Sequence, residues 1–241
     1  MRVNSLSLVN YRNYDQLNLN LHSGINLFIG NNGQGKTNLV EAIRFCSTLN
    51  SHRSPNSALV SAGTPQASIS VEVENDSKKL KLGIEINKES ANRFSLNGNL
   101  LRRSSEVLGV LTTVIFSPED IDLVRRDPST RRSFLNELGI QLRPAFYQTL
   151  QDYERVLKQR NALLKSARGK SHIDISTLEL WDDKLIQLGS AIILNRQTLV
   201  EALLPRVGEK YDQISKTQAQ LEIQQVSSIG ISYKDMDIDS L

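Results

Sequence analysis

A glycine-rich turn between an apolar run and a helical pattern constrains this chain more than any other feature. Residues 30–37, GNNGQGKT, match the pattern G-x-x-x-x-G-K-[ST] at every defined position. The apolar run Ile25–Ile29 precedes the turn and predicts a buried central strand. Apolar residues recur at helical spacing from Thr37 to Asn50. We therefore expect a strand, a phosphate-binding loop and a helix in that order.

Each residue type in this loop has a chemical reason to be there. Glycines let the backbone turn tightly and bring its N–H groups to phosphate oxygens, and the start of the following helix directs its positive dipole end to the same place. Lys36 is expected to neutralise phosphate charge, and the Thr37 hydroxyl to bind Mg²⁺ as a metal ligand. The predicted nucleotide-binding residues of the loop are Gly30, Asn31, Asn32, Gly33, Gln34, Gly35, Lys36 and Thr37.

The loop alone does not name a reaction. The GTPase patterns D-x-x-G and N-K-x-D do not occur in the sequence, which disfavours a GTPase. The ABC signature S-G-G-Q and an apolar run ending in two acidic residues are also absent from the 241 residues. The sequence therefore offers no evident base to position an attacking water. A small P-loop kinase stays open as an alternative, although no acceptor motif supports it.

The first half of the chain predicts a β-rich lobe around the loop. Apolar and polar residues alternate, as in half-buried strands, over the segments 4–9, 16–21, 67–74 and 79–86. Asn97-Gly98 is a strong signal for a hairpin turn. A continuous apolar run predicts another buried strand at Gly109–Phe116, and an alternating segment near the end predicts a further strand at 221–226.

The second half predicts a helical hairpin. Apolar residues recur at helical spacing over 146–164, and again over 178–199 with a heptad pattern that has one polar position, Asn195. A break at 166–175 separates the two patterns, and Ser176 with Glu179 predicts a capping box at the start of the second helix. The expected fold class is α/β, with a β-rich lobe and a helical-hairpin arm.

Composition and charge limit the class of protein. Hydrophobic residues make up 39% and charged residues 23%, no apolar run reaches the ~18 residues of a membrane span, and Cys46 is the single cysteine. We therefore expect a soluble, cytoplasmic protein without membrane partners. Residues 125–170 carry a net charge of +7, whereas residues 171–241 carry −5. A basic middle segment is what a polyanion-binding surface needs, although a solvated helical face would have the same composition.

Several longer segments resemble a known family. The phosphate loop, LVNYRNY, SHRS, FSPEDIDLV, RRSFLNELGIQLRPAFYQTLQDYERVLKQRNALLK and LELWDDKLIQLGSAII are similar to segments of the RecF recombination-repair proteins, in the same order. Those proteins belong with the SMC-like ABC ATPases. The resemblance covers about residues 1–205, and FSPED and YERVLKQRNALL are more specific than any phosphate loop.

The resemblance implies a fold and a function. It implies an ABC-type ATP-binding head over residues 1–124, a helical arm over 125–215, and a return strand into the head over 216–241. It further implies an ATP-dependent homodimer with Mg²⁺ at the site, and slow, DNA-dependent ATP hydrolysis. The implied role is in DNA replication, repair of DNA damage at single-stranded gaps, and the SOS response. The implied partners are single-stranded or gapped DNA and mediators of the RecO and RecR type.

The sequence departs from the RecF pattern in two places. RecF proteins continue well past 241 residues, and their signature and Walker B motifs lie in that later part, so the head is expected to be incomplete and its enzymatic activity is left open. The alternative is a non-catalytic remnant that acts only as a DNA-binding or partner-binding module. Asn136 stands where the family usually places an aspartate.

Further candidate residues follow from the resemblance and from the charge pattern. Arg12 and Asn13, after the first predicted strand, are interpreted as nucleotide-binding residues, because SMC-like heads use an arginine there. Arg53 resembles an arginine that such heads place near the γ-phosphate or DNA. The other predicted DNA-contacting residues are Arg125, Arg126, Arg131, Arg132, Lys158 and Lys165. The four arginines could equally cap helices and pair with neighbouring carboxylates.

Overall fold

The computed structural model describes residues 1–51, 53–75, 78–167, 175–215 and 221–225. The chain divides into two compact units. The first comprises Met1–Thr130 with Ile140–Pro144, and the second comprises Arg131–Gly139 with Ala145–Leu241. The functional domain limits given above remain predictions.

The first unit contains an antiparallel sheet of six strands in the order β2-β1-β3-β4-β5-β6. The strands are β1 (Arg2–Tyr11), β2 (Tyr14–Asn20), β3 (Gln66–Asn75), β4 (Lys78–Asn87), β5 (Arg93–Leu96) and β6 (Asn99–Leu100). All four alternating segments of the first half are strands, as predicted. Asn97 and Gly98, with φ of 52° and 82°, form the turn between β5 and β6, where both positions need the left-handed region.

Alternation along the strands places apolar residues on one buried face. Fully buried residues of the three central strands include Leu6, Leu8, Ile69, Val71 and Ile84. Helix α1 (Lys36–Thr48) contacts β3 and buries its own apolar side chains, among them Phe45 and Cys46. Burial raises the pKa of the Cys46 thiol to about 12, so the thiol stays protonated and packs as a small apolar group.

Two predicted strands are wrong. The segment Ile25–Ile29 has no strand, and the side chains of Ile25, Leu27 and Ile29 are 95%, 78% and 84% exposed. The segment Gly109–Phe116 also has no strand, and Phe116 is 94% exposed. An apolar run becomes a buried strand only when neighbouring strands supply backbone partners and other elements cover both faces. Within the described residues, the six-stranded sheet supplies neither to these two segments.

The predicted strand near the end of the chain does not form where it can be described. Residues 221–225 have no strand, and residue 226 lies outside the described residues, as do most residues of the predicted return strand over 216–241.

Two helical segments after the sheet begin at a proline, which suits the first position of a helix. A 3₁₀ turn, Pro118–Ile121, is closed by a capping box in which the Ser117 backbone N–H donates to Asp120 Oδ2 at 2.7 Å. The short α2 (Asp122–Arg125) follows, and α3 (Pro128–Leu142) starts at its proline.

The second unit contains the predicted helical hairpin. Helices α4 (Phe146–Ala167) and α5 (Ile175–Ser215) pack against each other, and most of the predicted break, residues 168–174, lies outside the described residues. The predicted capping box is wrong, because α5 already begins at Ile175 and Ser176 therefore lies inside the helix. No helix in the described parts of the chain has both the length and the hydropathy that crossing a bilayer requires.

Candidate phosphate-binding site

The glycines of the loop have conformations that other residues avoid. Gly33 and Gly35 have φ of 83° and 91°, in the left-handed region where a side chain is strained. Gly35 also lacks room for a side chain, since a Cβ there would lie 2.6 Å from Asn13 Oδ1 and 2.9 Å from the Tyr14 hydroxyl. The side chains of Asn13 and Tyr14 therefore lie against Gly35 and would have to shift to admit a Cβ, while the positive φ of Gly35 disfavours a side chain in any case.

Helix α1 follows the loop directly, and its N-terminal end has no side-chain cap. Gly35 is the N-cap residue of α1, no side chain caps the helix, and its first turn holds no acidic residue. The first N–H groups of a helix have no partners within it, and they carry the positive end of the helix dipole. This end of α1 is therefore a site that favours an anion.

Lys36 lies over the loop. Its Nζ donates to the carbonyl oxygens of Gly30 and Asn31, both at 2.7 Å, which places the ammonium group against the first residues of the loop. Thr37 is exposed on the first turn of α1, where its hydroxyl could bind a cation held by phosphates. The described residues contain no cluster of histidine, cysteine or carboxylate groups that could hold a metal alone. The start of α1 and Lys36 therefore suit the phosphates of a nucleotide, and a cation there would be bound mainly by those phosphates.

Asn13 joins the phosphate loop to the sheet. The Asn38 amide Nδ2 donates to Asn13 Oδ1 at 2.9 Å, and the same oxygen is the closest atom to the missing Cβ of Gly35. The structure thus brings Asn13 to the loop and to α1, and its predicted contact with the nucleotide stays a prediction.

Arg12 lies in the same turn, at a strained backbone position with φ of 55°. Its guanidinium donates from Nε to Glu41 Oε2 at 3.0 Å and from Nη2 to Glu41 Oε1 at 2.8 Å. The same Nη2 donates to Ser54 Oγ at 2.7 Å, and Nη1 donates to the Ala58 carbonyl at 3.1 Å. Arg12 therefore binds side chains and backbone of the protein itself with most of its donors.

Glu41, one turn after Thr37 on α1, was not singled out from the sequence. Its side chain is 1% exposed and also accepts a hydrogen bond from Ser51 Oγ at 2.7 Å. Burial alone would raise the pKa of this carboxyl group. The hydrogen bonds from Arg12 and Ser51, and the charges of Arg12 and Arg53, outweigh burial and hold the pKa below its ordinary value. A carboxylate within the apolar α1 pattern was the available signal, because such a residue needs a buried partner.

Arg53 lies beside α1. Its side chain is exposed, and it lines a cleft of about 230 Å³ together with Arg12, Asn38 and Ser54. The structure therefore groups Arg53 with Arg12 and the start of α1, on the side of the two alternatives for Arg53 that involves the γ-phosphate.

The remaining basic candidates lie on helices. Arg125 is the last residue of α2, and Arg126 follows it as the C-cap residue. Arg126 forms an ion pair with Asp122 at 2.7 Å, so it pairs with a neighbouring carboxylate, as the alternative to DNA binding expects. The other four are exposed and belong to the second unit: Arg131 and Arg132 on α3, and Lys158 and Lys165 on α4.

Comparison with protein families and curated proteins gives consistent matches. The family model described as AAA domain matches residues 5–228. The DNA replication and repair protein RecF of Renibacterium salmoninarum is 40% identical over 98% of this chain and 62% of its own length. RecF of Clavibacter sepedonicus is 45% identical over 88% of this chain and 52% of its own length. The chain thus spans about half to three-fifths of the length of these relatives.

Solved structures match the fold as a whole. A structure described as the recombination mediator protein RecF-ATPrS in the RecFOR pathway superposes with a TM-score of 0.89 at 31% identity, covering 99% of this chain and 64% of that one. A structure described as RecF-ATP gives a TM-score of 0.83 at 32% identity, covering 89% and 58%. The predicted fold class, an α/β P-loop head with a β-rich lobe and a helical hairpin, is confirmed.

Proposed function

Since the chain belongs to the AAA domain family and is RecF-like, we propose that it binds ATP at the phosphate loop and acts in DNA replication and repair. One observation supports the nucleotide site most directly: α1 follows its N-cap residue Gly35 without a side-chain cap, and the Lys36 ammonium group is bound to the carbonyl oxygens of the same loop. Phosphate oxygens would accept from the N–H groups of the loop and from Lys36. Thr37 would contribute its hydroxyl to Mg²⁺.

The neighbouring residues have distinct roles in this proposal. Asn13 holds the β1–β2 turn against Gly35 and α1, so it shapes the loop. Arg12 is engaged by Glu41 and Ser54, and it acts on the nucleotide mainly through the structure that it stabilises. Arg53 is exposed in the cleft and supplies the positive charge available to a terminal phosphate.

Broader features of RecF proteins are proposed for the protein of which this sequence forms at least a part. They are ATP-dependent homodimer formation, slow hydrolysis, contacts with mediators of the RecO and RecR type, a role in the SOS response and a cytoplasmic location. DNA binding is proposed to use the exposed basic side chains of the arm, among them Lys158 and Lys165, which lie two turns apart on α4.

Equilibrium binding of Mg·ATP to the 241-residue chain tests the proposal. A charge-assisted hydrogen bond contributes roughly 1.5–3 kcal/mol, so Lys36→Ala should raise the Kd about 10- to 150-fold. Lys81→Ala is the matched control, because Lys81 is an exposed lysine on β4 away from the loop, and it should leave the Kd unchanged. Absence of binding, or equal loss in both variants, would reject the nucleotide site.

A salt titration with gapped DNA tests the proposed DNA surface separately. Each phosphate contact removed should make the negative slope of log K against log salt shallower by about 0.7–0.9, so the double variant Lys158→Gln/Lys165→Gln should reduce its magnitude by roughly 1.5. Lys184→Gln, on the exposed surface of α5, controls for the loss of charge alone. A slope that is unchanged in the double variant would remove α4 from the DNA surface.

A further inference from the structure

The two arginines of the cleft differ in how they are held. A guanidinium group has five N–H donors, and Arg12 uses four of them, one from Nε, two from Nη2 and one from Nη1, on Glu41, Ser54 and the Ala58 carbonyl. Arg53 has an exposed side chain, and its described hydrogen bond is made by its backbone N–H. Arg53 is therefore the residue whose guanidinium group can meet a ligand in the cleft.

The backbone around Arg53 is tied to one carboxylate. The Arg53 N–H donates to Ser51 Oγ at 3.2 Å, and Ser51 Oγ donates to Glu41 Oε1 at 2.7 Å. On the other side of Arg53, Ser54 Oγ accepts from Arg12, which is itself bound by both oxygens of Glu41. Ser51 binds Glu41 directly, and Ser54 binds it through Arg12.

Glu41 connects the segment around Arg53 to the helix that begins at the phosphate site. It lies on α1 one turn after Thr37, so it belongs to the helix whose start forms the anion site. Its side chain is 1% exposed, which fixes the position of its two oxygens. Moving the carboxylate would release Ser51 and Arg12 together.

We propose that Glu41 is a positioning residue, which holds Arg53 in the cleft beside the phosphate loop so that its guanidinium group can take the terminal-phosphate role proposed above. The inference rests on the proposed nucleotide site, which it deepens. Glu41 touches no ligand in this assignment, and it acts through Ser51 on one side of Arg53 and through Arg12 on the other.

A double-mutant cycle tests the coupling. The Kd of Mg·ATP is measured for the 241-residue chain, for Arg53→Gln, for Glu41→Gln and for the double variant. Arg53→Gln should raise the Kd about tenfold in the native chain and less than about twofold in the Glu41→Gln background, because Arg53 is then no longer held in place. Equal effects in both backgrounds would overturn the inference. A second cycle combines Arg53→Gln with Ser51→Ala instead of Glu41→Gln. It tests the same connection without removing a buried charge.

The Lys36→Ala comparison separates this inference from the proposed function. If the native chain does not bind Mg·ATP, or binds it equally well without Lys36, the nucleotide site itself is rejected. If binding depends on Lys36 but the cycle is additive, the site stands and the positioning role of Glu41 is rejected.

Amide hydrogen exchange without nucleotide provides a readout that does not involve ligand binding. In Glu41→Gln, exchange at the Arg53 N–H should accelerate about tenfold or more, because its acceptor Ser51 Oγ loses its own anchor. Ser57→Ala, at an exposed serine of the 3₁₀ turn Asn56–Leu59, is the matched control and should leave that amide unchanged. An unchanged exchange rate in Glu41→Gln would overturn the positioning role even in a chain that binds nucleotide.

Discussion

Two partly buried arginines, one in each unit, have partners of different charge. In the first unit, Arg12 binds both oxygens of the Glu41 carboxylate. In the second unit, Arg196 on α5 donates from Nε to the amide oxygen of Asn136 on α3, at 3.0 Å. The Arg12 guanidinium group thus forms an ion pair with a carboxylate, whereas that of Arg196 donates to an uncharged amide.

The two environments move the pKa values in opposite directions. Burial lowers the pKa of Arg196, and the positive charge of Arg132 lowers it further. Burial also acts to lower the pKa of Arg12, but the hydrogen bond and the charge of Glu41 outweigh it and raise the pKa. Both arginines remain protonated near neutral pH. Among the described residues, the buried charge of the phosphate-site unit is paired with a carboxylate, whereas that of Arg196 is paired with a neutral amide.

The largest expected effect comes from removing the charge of Glu41. Glu41→Gln keeps the shape of the side chain but leaves the Arg12 guanidinium with a neutral partner, so it converts this pair into the type found at Arg196. We expect the free energy of unfolding of the first unit to fall by about 2–3 kcal/mol. Urea denaturation followed by far-UV circular dichroism measures the change.

The single tryptophan provides an internal control for that experiment. Trp181 lies on α5 in the second unit, so its fluorescence follows the helical arm. The Trp181 transition should stay within about 0.5 kcal/mol of its original value in Glu41→Gln. A loss below about 0.5 kcal/mol in the first unit would mean that the Arg12–Glu41 pair contributes no more than an exposed ion pair.

The converse change in the helical arm should be smaller and stabilising. Asn136→Asp gives Arg196 a carboxylate partner at the position where the RecF resemblance expects aspartate. A charge-assisted hydrogen bond is about twice as strong as a neutral one, and the added negative charge offsets the repulsion from Arg132. We expect the Trp181 transition to shift by about 1 kcal/mol toward higher stability.

A matched variant shows whether the hydrogen bond or only the charge matters at this position. Asn136→Ala leaves Arg196 Nε without this acceptor and should destabilise the arm by about 1–2 kcal/mol. If Asn136→Asp is no more stable than the native arm, the uncompensated charge of Arg196 is already satisfied by solvent, and the contrast between the two arginines has no energetic consequence.

The contrast also shows what the sequence could predict. The phosphate loop, the alternating strands and the helical hairpin depend on local spacing, and the structure contains all of them. Glu41 was not predicted, because its partners Arg12 and Ser51 come from other segments and no local pattern joins them. The sequence left Arg53 open between the γ-phosphate and DNA, and the fold adds that it lines a cleft with Asn38.

The two wrong strands have a related cause. The apolar runs at Ile25–Ile29 and Gly109–Phe116 indicate a preference for burial. A strand also needs adjacent strands to pair with, and the residues of the run do not show whether such strands exist. In β3 and β4 that requirement is met by pairing between strands close in sequence. The segments that alternate between apolar and polar residues were therefore predicted correctly, whereas the two continuous apolar runs were not.

The smallest expected effect is a difference in pH dependence between the two pairs. The folded-state pKa of Glu41 is lowered, so its contribution to stability is fully present above the ordinary glutamate pKa of about 4.3 and is lost as the pH falls through the folded-state value. The destabilisation by Glu41→Gln should therefore shrink when the pH is lowered from 7 to about 3.5. Unfolding free energies at several pH values, native minus variant, measure it.

The Arg196–Asn136 pair supplies the comparison, because neither of its groups titrates in this range. The difference between the native chain and Asn136→Ala should stay constant from pH 7 to about 3.5, within about 0.5 kcal/mol. In Asn136→Asp the introduced carboxyl group should make the gain acid-sensitive, so that the helical pair acquires the pH dependence of the Arg12–Glu41 pair. If the Glu41→Gln difference is also independent of pH, the carboxyl group of Glu41 does not gain stability by being ionised, and the compensation that distinguishes the two arginines would have to come from hydrogen bonding alone.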